Sequence, residues 1–167
     1  LIYKYTIQRF TLLRRLSASY RPLSMVAAFI LAGWLTMLFG LRISENVIFD
    51  LRYVPIILGI AVFPKPIYLV LVGFGIGLSR FTFGYSDAAL VGFVNMLLLG
   101  GLSAGLSVWF RRSERPFWQK MLLSILAING MNAVIVSLLG VLPFWMYVKS
   151  IFPITIPLGI ALSCLFV

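Results

Sequence analysis

Two arginines, Arg52 and Arg80, stand where an apolar sequence has least use for a charge. Arg52 immediately precedes the apolar run Tyr53–Phe63, and Arg80 immediately follows the run Ile67–Ser79, with Pro64-Lys65-Pro66 between the two runs. A guanidinium offers a planar fork of N–H donors that matches the oxygens of a carboxylate or phosphate. The runs hold eleven and thirteen residues. At about 1.5 Å per helical residue they cover roughly 16 and 20 Å, well short of the ~30 Å hydrocarbon core of a bilayer. To span it, the first run must extend back through Arg52 and Asp50, and the second forward through Arg80 to near Phe83. Both arginines are thereby drawn below the surface at the same end of two adjacent antiparallel helices. A charge at the bilayer centre costs about 2.5–3.5 kcal/mol on insertion scales, and less near the interface. Two cations brought together also repel, so a negative companion is expected between them. Asp50 or Asp87 could supply it, headgroups could supply it if the side chains snorkel, and so could a small anion held by both forks. Ser79 and Thr82 flank Arg80, and Asn95 lies about two turns beyond Ala88 at a comparable depth, which makes Asn95 a candidate neutral contact.

Other chemistry is poorly provided for. The chain has no histidine, a single cysteine (Cys164, within an apolar run) and four acids. No nucleophile has a base at reach and no carboxylate pair shares a helix, so no catalytic site, metal site or cofactor is expected. Asn129 and Asn132 are three residues apart and share a helical face, where interhelical hydrogen bonding is the default role. Glycines are dense at Gly73, Gly75 and Gly77 and at Gly100, Gly101 and Gly105, a spacing that lets helix backbones approach closely. Ala28 and Ala32 make a weaker seam of the same kind. Pro153 and Pro157 would kink or loosen the last apolar run.

The elements that must carry these residues follow from hydropathy. Of 167 residues 62% are apolar and 11% charged, far too little charge to cover a soluble domain of this size. The fold class expected is all-α, a polytopic membrane bundle of five to six helices with Gly-rich close packing. The helices are expected at about 22–41, 46–63, 67–84, 88–110, 121–142 and 151–167. Residues 1–21 form a basic interfacial segment or the tail of a preceding helix. The start at Leu1 and the stop at Val167 inside an apolar run read as part of a longer polypeptide. Fourteen basic residues against four acids would suggest nucleic acid on a soluble protein. Here they cluster in short connections, ten of them in 1–21, 64–66 and 111–120, which the positive-inside rule assigns to the cytoplasm. No nucleic-acid partner is expected, and the lipid bilayer is.

The segment Ile48-Phe49-Asp50-Leu51-Arg52-Tyr53-Val54-Pro55 resembles the (N/D)-x-R opening of the LytS-type five-transmembrane-helix sensor domain. The turn Pro64-Lys65-Pro66, the Gly-rich run after it, the ending Arg80-Phe81-Thr82-Phe83-Gly84, the pair Arg111-Arg112 and Pro153 are similar to that family's later landmarks. The resemblance covers roughly residues 10–167. It departs from the family at Phe63-Pro64-Lys65-Pro66, in place of a Gly-Gly-Pro turn, and at Tyr85, where a second glycine is common. It implies a sensory membrane domain of a bacterial inner membrane that perceives a signal on the outer side. A cytoplasmic histidine kinase or diguanylate cyclase would follow as output, with the Asp-Leu-Arg-x-x-Pro wording closer to the cyclase branch. It also implies a homodimer, and a short carboxylic acid such as pyruvate as ligand of Arg52 and Arg80; position in the sequence, not the resemblance, adds Asp50, Asn95 and Ser79 beside them.

Two other functions compete on the residues alone. A substrate-binding membrane subunit of an energy-coupling-factor transporter is equally compact and Gly-rich, and would use the Ala28/Ala32 seam toward a partner. A plain membrane anchor would need neither arginine.

Overall fold

The computed structural model describes residues 20–39, 41–44, 47–49 and 51–139, with single positions beyond them. Five α-helices carry the described chain: α1 (Arg21–Leu38), α2 (Val54–Val62), α3 (Ile67–Ser79), α4 (Asp87–Arg112) and α5 (Phe117–Leu139). A two-stranded antiparallel hairpin, β1 (Leu41–Ser44) and β2 (Val47–Phe49), joins α1 to the approach of α2, pairing Leu41 with Phe49 and Arg42 with Ile48. One 3-10 turn, Arg80–Phe83, continues α3. The expected segment 1–21, apart from its last two residues, lies outside the described residues. So do Asp50 and most of the expected helix over 151–167.

Among the described residues three helices, α1, α4 and α5, are long and apolar enough to cross a membrane. Large apolar side chains stay exposed along them, among them Leu31, Leu35, Leu98, Leu126 and Val134, as suits helices whose surroundings are lipid. This fits a membrane protein. The helix expected over 46–63 is corrected by the structure. The helix begins only at Val54, and a hairpin occupies the preceding stretch. Val47-Ile48-Phe49 are strand-forming residues. Pro55, in the first turn of α2, needs no amide hydrogen there.

α2 also shows how a run of eleven apolar residues can pass between the two ends of the bundle without the length of a lipid-facing span. Six of its nine residues are buried: Val54, Pro55, Ile56, Ile57, Gly59 and Ile60. A helix covered by protein on most of its circumference is apolar all round and needs no particular length. Its Ile56, Ile57 and Ile60 meet Leu69, Val72 and Ile76 of α3, Met96 and Leu99 of α4 and Ile125 and Ile128 of α5 in one core. Phe63 closes the lower end of α2, fully buried, with Phe29 edge-on at 5.0 Å and Tyr68 at 5.9 Å between ring centroids.

The most extensive helix pairing joins α3 to α4. It depends on glycine at both faces. A Cβ at Gly73 would lie 2.6 Å from the Met96 carbonyl oxygen and 2.9 Å from Gly100 Cα, so backbone lies on backbone there.

The end of the bundle that carries Lys65 and Arg111–Lys120 is held by cations on helix carbonyls. Arg111 donates to the Phe63 carbonyl at the close of α2. Lys120 Nζ donates to the carbonyls of Phe110 (3.0 Å) and Ser113 (3.2 Å), and lies 4.6 Å from the centroid of the Phe110 ring. A cation at a helix C-terminus contributes about 0.3–1 kcal/mol, and one over an aromatic face about 0.5–1 kcal/mol. Lys120→Met is therefore expected to lower stability by about 1–2 kcal/mol, read as a reduced thermal midpoint in detergent. An unchanged midpoint would show that Lys120 only decorates the loop.

Candidate functional site

The opposite end of the bundle gathers the C-termini of α1 and α3 with the N-termini of α2 and α4. Ser86 caps α4, its hydroxyl oxygen accepting from the Ala89 amide at 3.2 Å, and Asp87 sits exposed in the first turn, where a carboxylate offsets the helix dipole. The 3-10 turn after α3 is pinned from two sides. Trp34 Nε1 of α1 donates to Thr82 Oγ1 at 3.1 Å, and Thr82 donates in turn to the Ser79 carbonyl. Phe81 stacks on Tyr85 at 5.3 Å and packs at 5.8 Å against Phe93 of α4. Gly84, at φ 116°, then turns the chain toward α4 in a conformation other residues avoid. These contacts fix where Arg80 starts from.

Arg52 arrives from the other side, two residues before α2. The two side chains meet over Gly92 of α4. A Cβ placed on Gly92 would lie 2.9 Å from Arg52 Nη1, 3.6 Å from Arg52 Nη2 and 3.6 Å from Arg80 Cγ. Gly92 is buried, and Arg52 and Arg80 are each half-buried. Arg52 Nη1 and Arg80 Nε are themselves shielded from solvent. The fold thus brings the Arg52 guanidinium and the stem of the Arg80 side chain, 28 positions apart in sequence (80 against 52), onto one bare patch of helix. A concentration of positive charge at a partly dehydrated site attracts an anion more strongly than the same charges in water.

The neutral candidates divide. Asn95 is one turn beyond Gly92 on the buried face of α4, 1% exposed, and its Nδ2 donates to Asn132 Oδ1 of α5 at 2.8 Å. Its own Oδ1 is buried and has no donor among the described residues. A buried acceptor left in that state costs about 1–3 kcal/mol. Ser79 sits beside Arg80, but its hydroxyl hydrogen goes to the Ile76 carbonyl at 2.7 Å on its own helix, so it has no donor to spare for an anion. Asn129, expected to bond across helices, bonds back to the Ile125 carbonyl at 2.9 Å; the interhelical amide pair is Asn95–Asn132. Asp50 falls outside the described residues. Gly92 and Asn132 were not legible as site residues. Gly92 contributes only room, and the one sequence signal for it is its one-turn spacing from Asn95.

Among the described residues no group of three His, Cys, Asp or Glu is placed to hold a metal ion. No family model, curated protein or solved structure matches this chain.

Proposed function

We propose that this chain is a sensory membrane domain that binds a small carboxylate-like anion between Arg52 and Arg80. The observation that carries the reading is the convergence of both side chains on Gly92. The bundle sits in a bacterial inner membrane and crosses it five to six times. Residues 1–21, 64–66 and 111–120 face the cytoplasm, and the arginine pair lies near the outer leaflet. Charge supports that orientation, because Lys65, Arg111, Arg112, Arg115 and Lys120 gather at the end away from the pair. An anion taken by both arginines draws the start of α2 toward the end of α3. The far end of α2 is tied to α4 through Arg111, so a shift of α2 is felt at the cytoplasmic loop. Such a shift signals if the anion prefers one of two arrangements. A cytoplasmic histidine kinase or diguanylate cyclase, acting as a dimer, is the output this reading assigns.

The test is titration of purified protein in detergent or nanodiscs with pyruvate and similar short acids, alongside Arg52→Ala and Arg80→Ala. Saturable binding that both substitutions weaken is expected. Equal affinity in all three proteins would dispose of the reading.

Gly92→Ala probes the same patch from the helix side. Here the atoms in the way are the far end of a flexible side chain, so the helix stays put and the arginine moves. Forcing it off its preferred rotamer costs about 0.5–1.5 kcal/mol, and anion affinity is expected to fall roughly tenfold with the thermal midpoint nearly unchanged. Undiminished affinity would place the anion elsewhere.

A further inference from the structure

We infer that the anion taken by Arg52 and Arg80 carries a hydroxyl beside its carboxylate, and that Asn95 Oδ1 accepts the hydrogen bond from that hydroxyl. This rests on the reading of the arginine pair as an anion site and adds the second half of the ligand. Asn95 is 1% exposed and follows Gly92 by three residues on the same buried face of α4, so their Cβ positions are roughly 5–6 Å apart. Its amide nitrogen is committed to Asn132 Oδ1 at 2.8 Å, which fixes the amide plane against α5. The remaining oxygen is buried and lacks a donor among the described residues. Buried acceptors are almost always satisfied in native proteins. Within the described chain, the guanidinium of Arg52 lies over Gly92, one turn away.

A carboxylate on the Arg52 guanidinium, with a donor on the next carbon, spans that turn. Two hydrogen bonds of about 2.8 Å each, joined through the carboxylate and hydroxyl oxygens of one 2-hydroxy acid, reach roughly 8 Å. A 2-oxo acid of the same carbon skeleton would set an acceptor against an acceptor. A plain carboxylate would leave the amide oxygen as it is. A site built to take a hydroxyl discriminates strongly against analogues that lack one, because its own buried polar atom is then stranded.

The experiment compares lactate, pyruvate and propanoate on purified protein in nanodiscs, with Arg52→Ala and Asn95→Leu as variants. Lactate is expected to bind about tenfold more tightly than either of the others, the effect of one buried hydrogen bond. In Asn95→Leu the three acids are expected to bind alike. The wild-type comparison decides the matter even if Asn95→Leu does not assemble. Equal binding of all three acids by wild type, still lost in Arg52→Ala, overturns the hydroxyl inference and leaves the anion site standing. Tighter binding of pyruvate also overturns it, and would mean that Asn95 turns its amide nitrogen to the ligand. Binding of none of them, or binding indifferent to Arg52→Ala, removes both.

Discussion

Gly73→Ala is expected to destabilise the protein by about 1–3 kcal/mol, and Gly101→Ala to stabilise it or leave it unchanged. The same single methyl is added in the interior of a helix in both cases, and the intrinsic helical preference of alanine over glycine favours both by up to about 1 kcal/mol. Surroundings decide the sign. At Gly73 the new Cβ would meet the Met96 carbonyl oxygen at 2.6 Å and Gly100 Cα at 2.9 Å. Those are backbone atoms of a well-packed helix, so α3 and α4 must separate along their most extensive contact. At Gly101, one residue along α4, the methyl would meet nothing within 4 Å among the described residues and the position is exposed. Thermal unfolding of the two variants in one detergent measures the contrast. If both midpoints moved in the same direction by the same amount, the α3–α4 crossing would not be as close as the glycines imply.

Arg52→Ala and Arg80→Ala are each expected to weaken anion binding about a hundredfold, or roughly 2.7 kcal/mol. A hydrogen bond to a charged group is worth about 1.5–3 kcal/mol, and here each fork acts at a half-buried site where salt screens little. The lysine variants sharpen the argument. Lysine keeps the charge and loses the planar pair of donors, so Arg52→Lys is expected to bind about tenfold more weakly than wild type, between wild type and alanine. Lysine as good as arginine would mean that bulk positive charge, and not fork geometry, attracts the anion. Raising salt separates the two cases again, because diffuse attraction fades within a Debye length of about 10 Å at 0.1 M and a bidentate contact persists.

The long helices were legible in the sequence because lipid imposes a length. Apolar runs near 22–41, 88–110 and 121–142 have room to cross a bilayer, and α1, α4 and α5 occupy them. The same rule misread the stretch before Arg52. It demanded a helix from 46 so that a short run could reach the surface, whereas α2 begins only at Val54, lies within the bundle, and is preceded by the strand Val47–Phe49. Hydrophobic length speaks only for a helix that must meet lipid along its own course, and six buried residues of nine release α2 from that demand. The arginines were legible for a related reason: charge at the edge of a run too short to span is an anomaly in one dimension. Their meeting point was not. Gly92 has no side chain to announce a site, and it matters only because the 3-10 turn of Arg80 and the start of α2 arrive over it. Asn95 could be singled out by its type, but its choice of Asn132 over Asn129 as partner depends on how α5 is rotated against α4. Composition and spacing therefore determined that this chain is built of apolar helices and that two cations are misplaced among them. Tertiary packing decided that those cations share one patch with a buried acceptor one turn away, because only the crossing of helices far apart in sequence sets which faces meet.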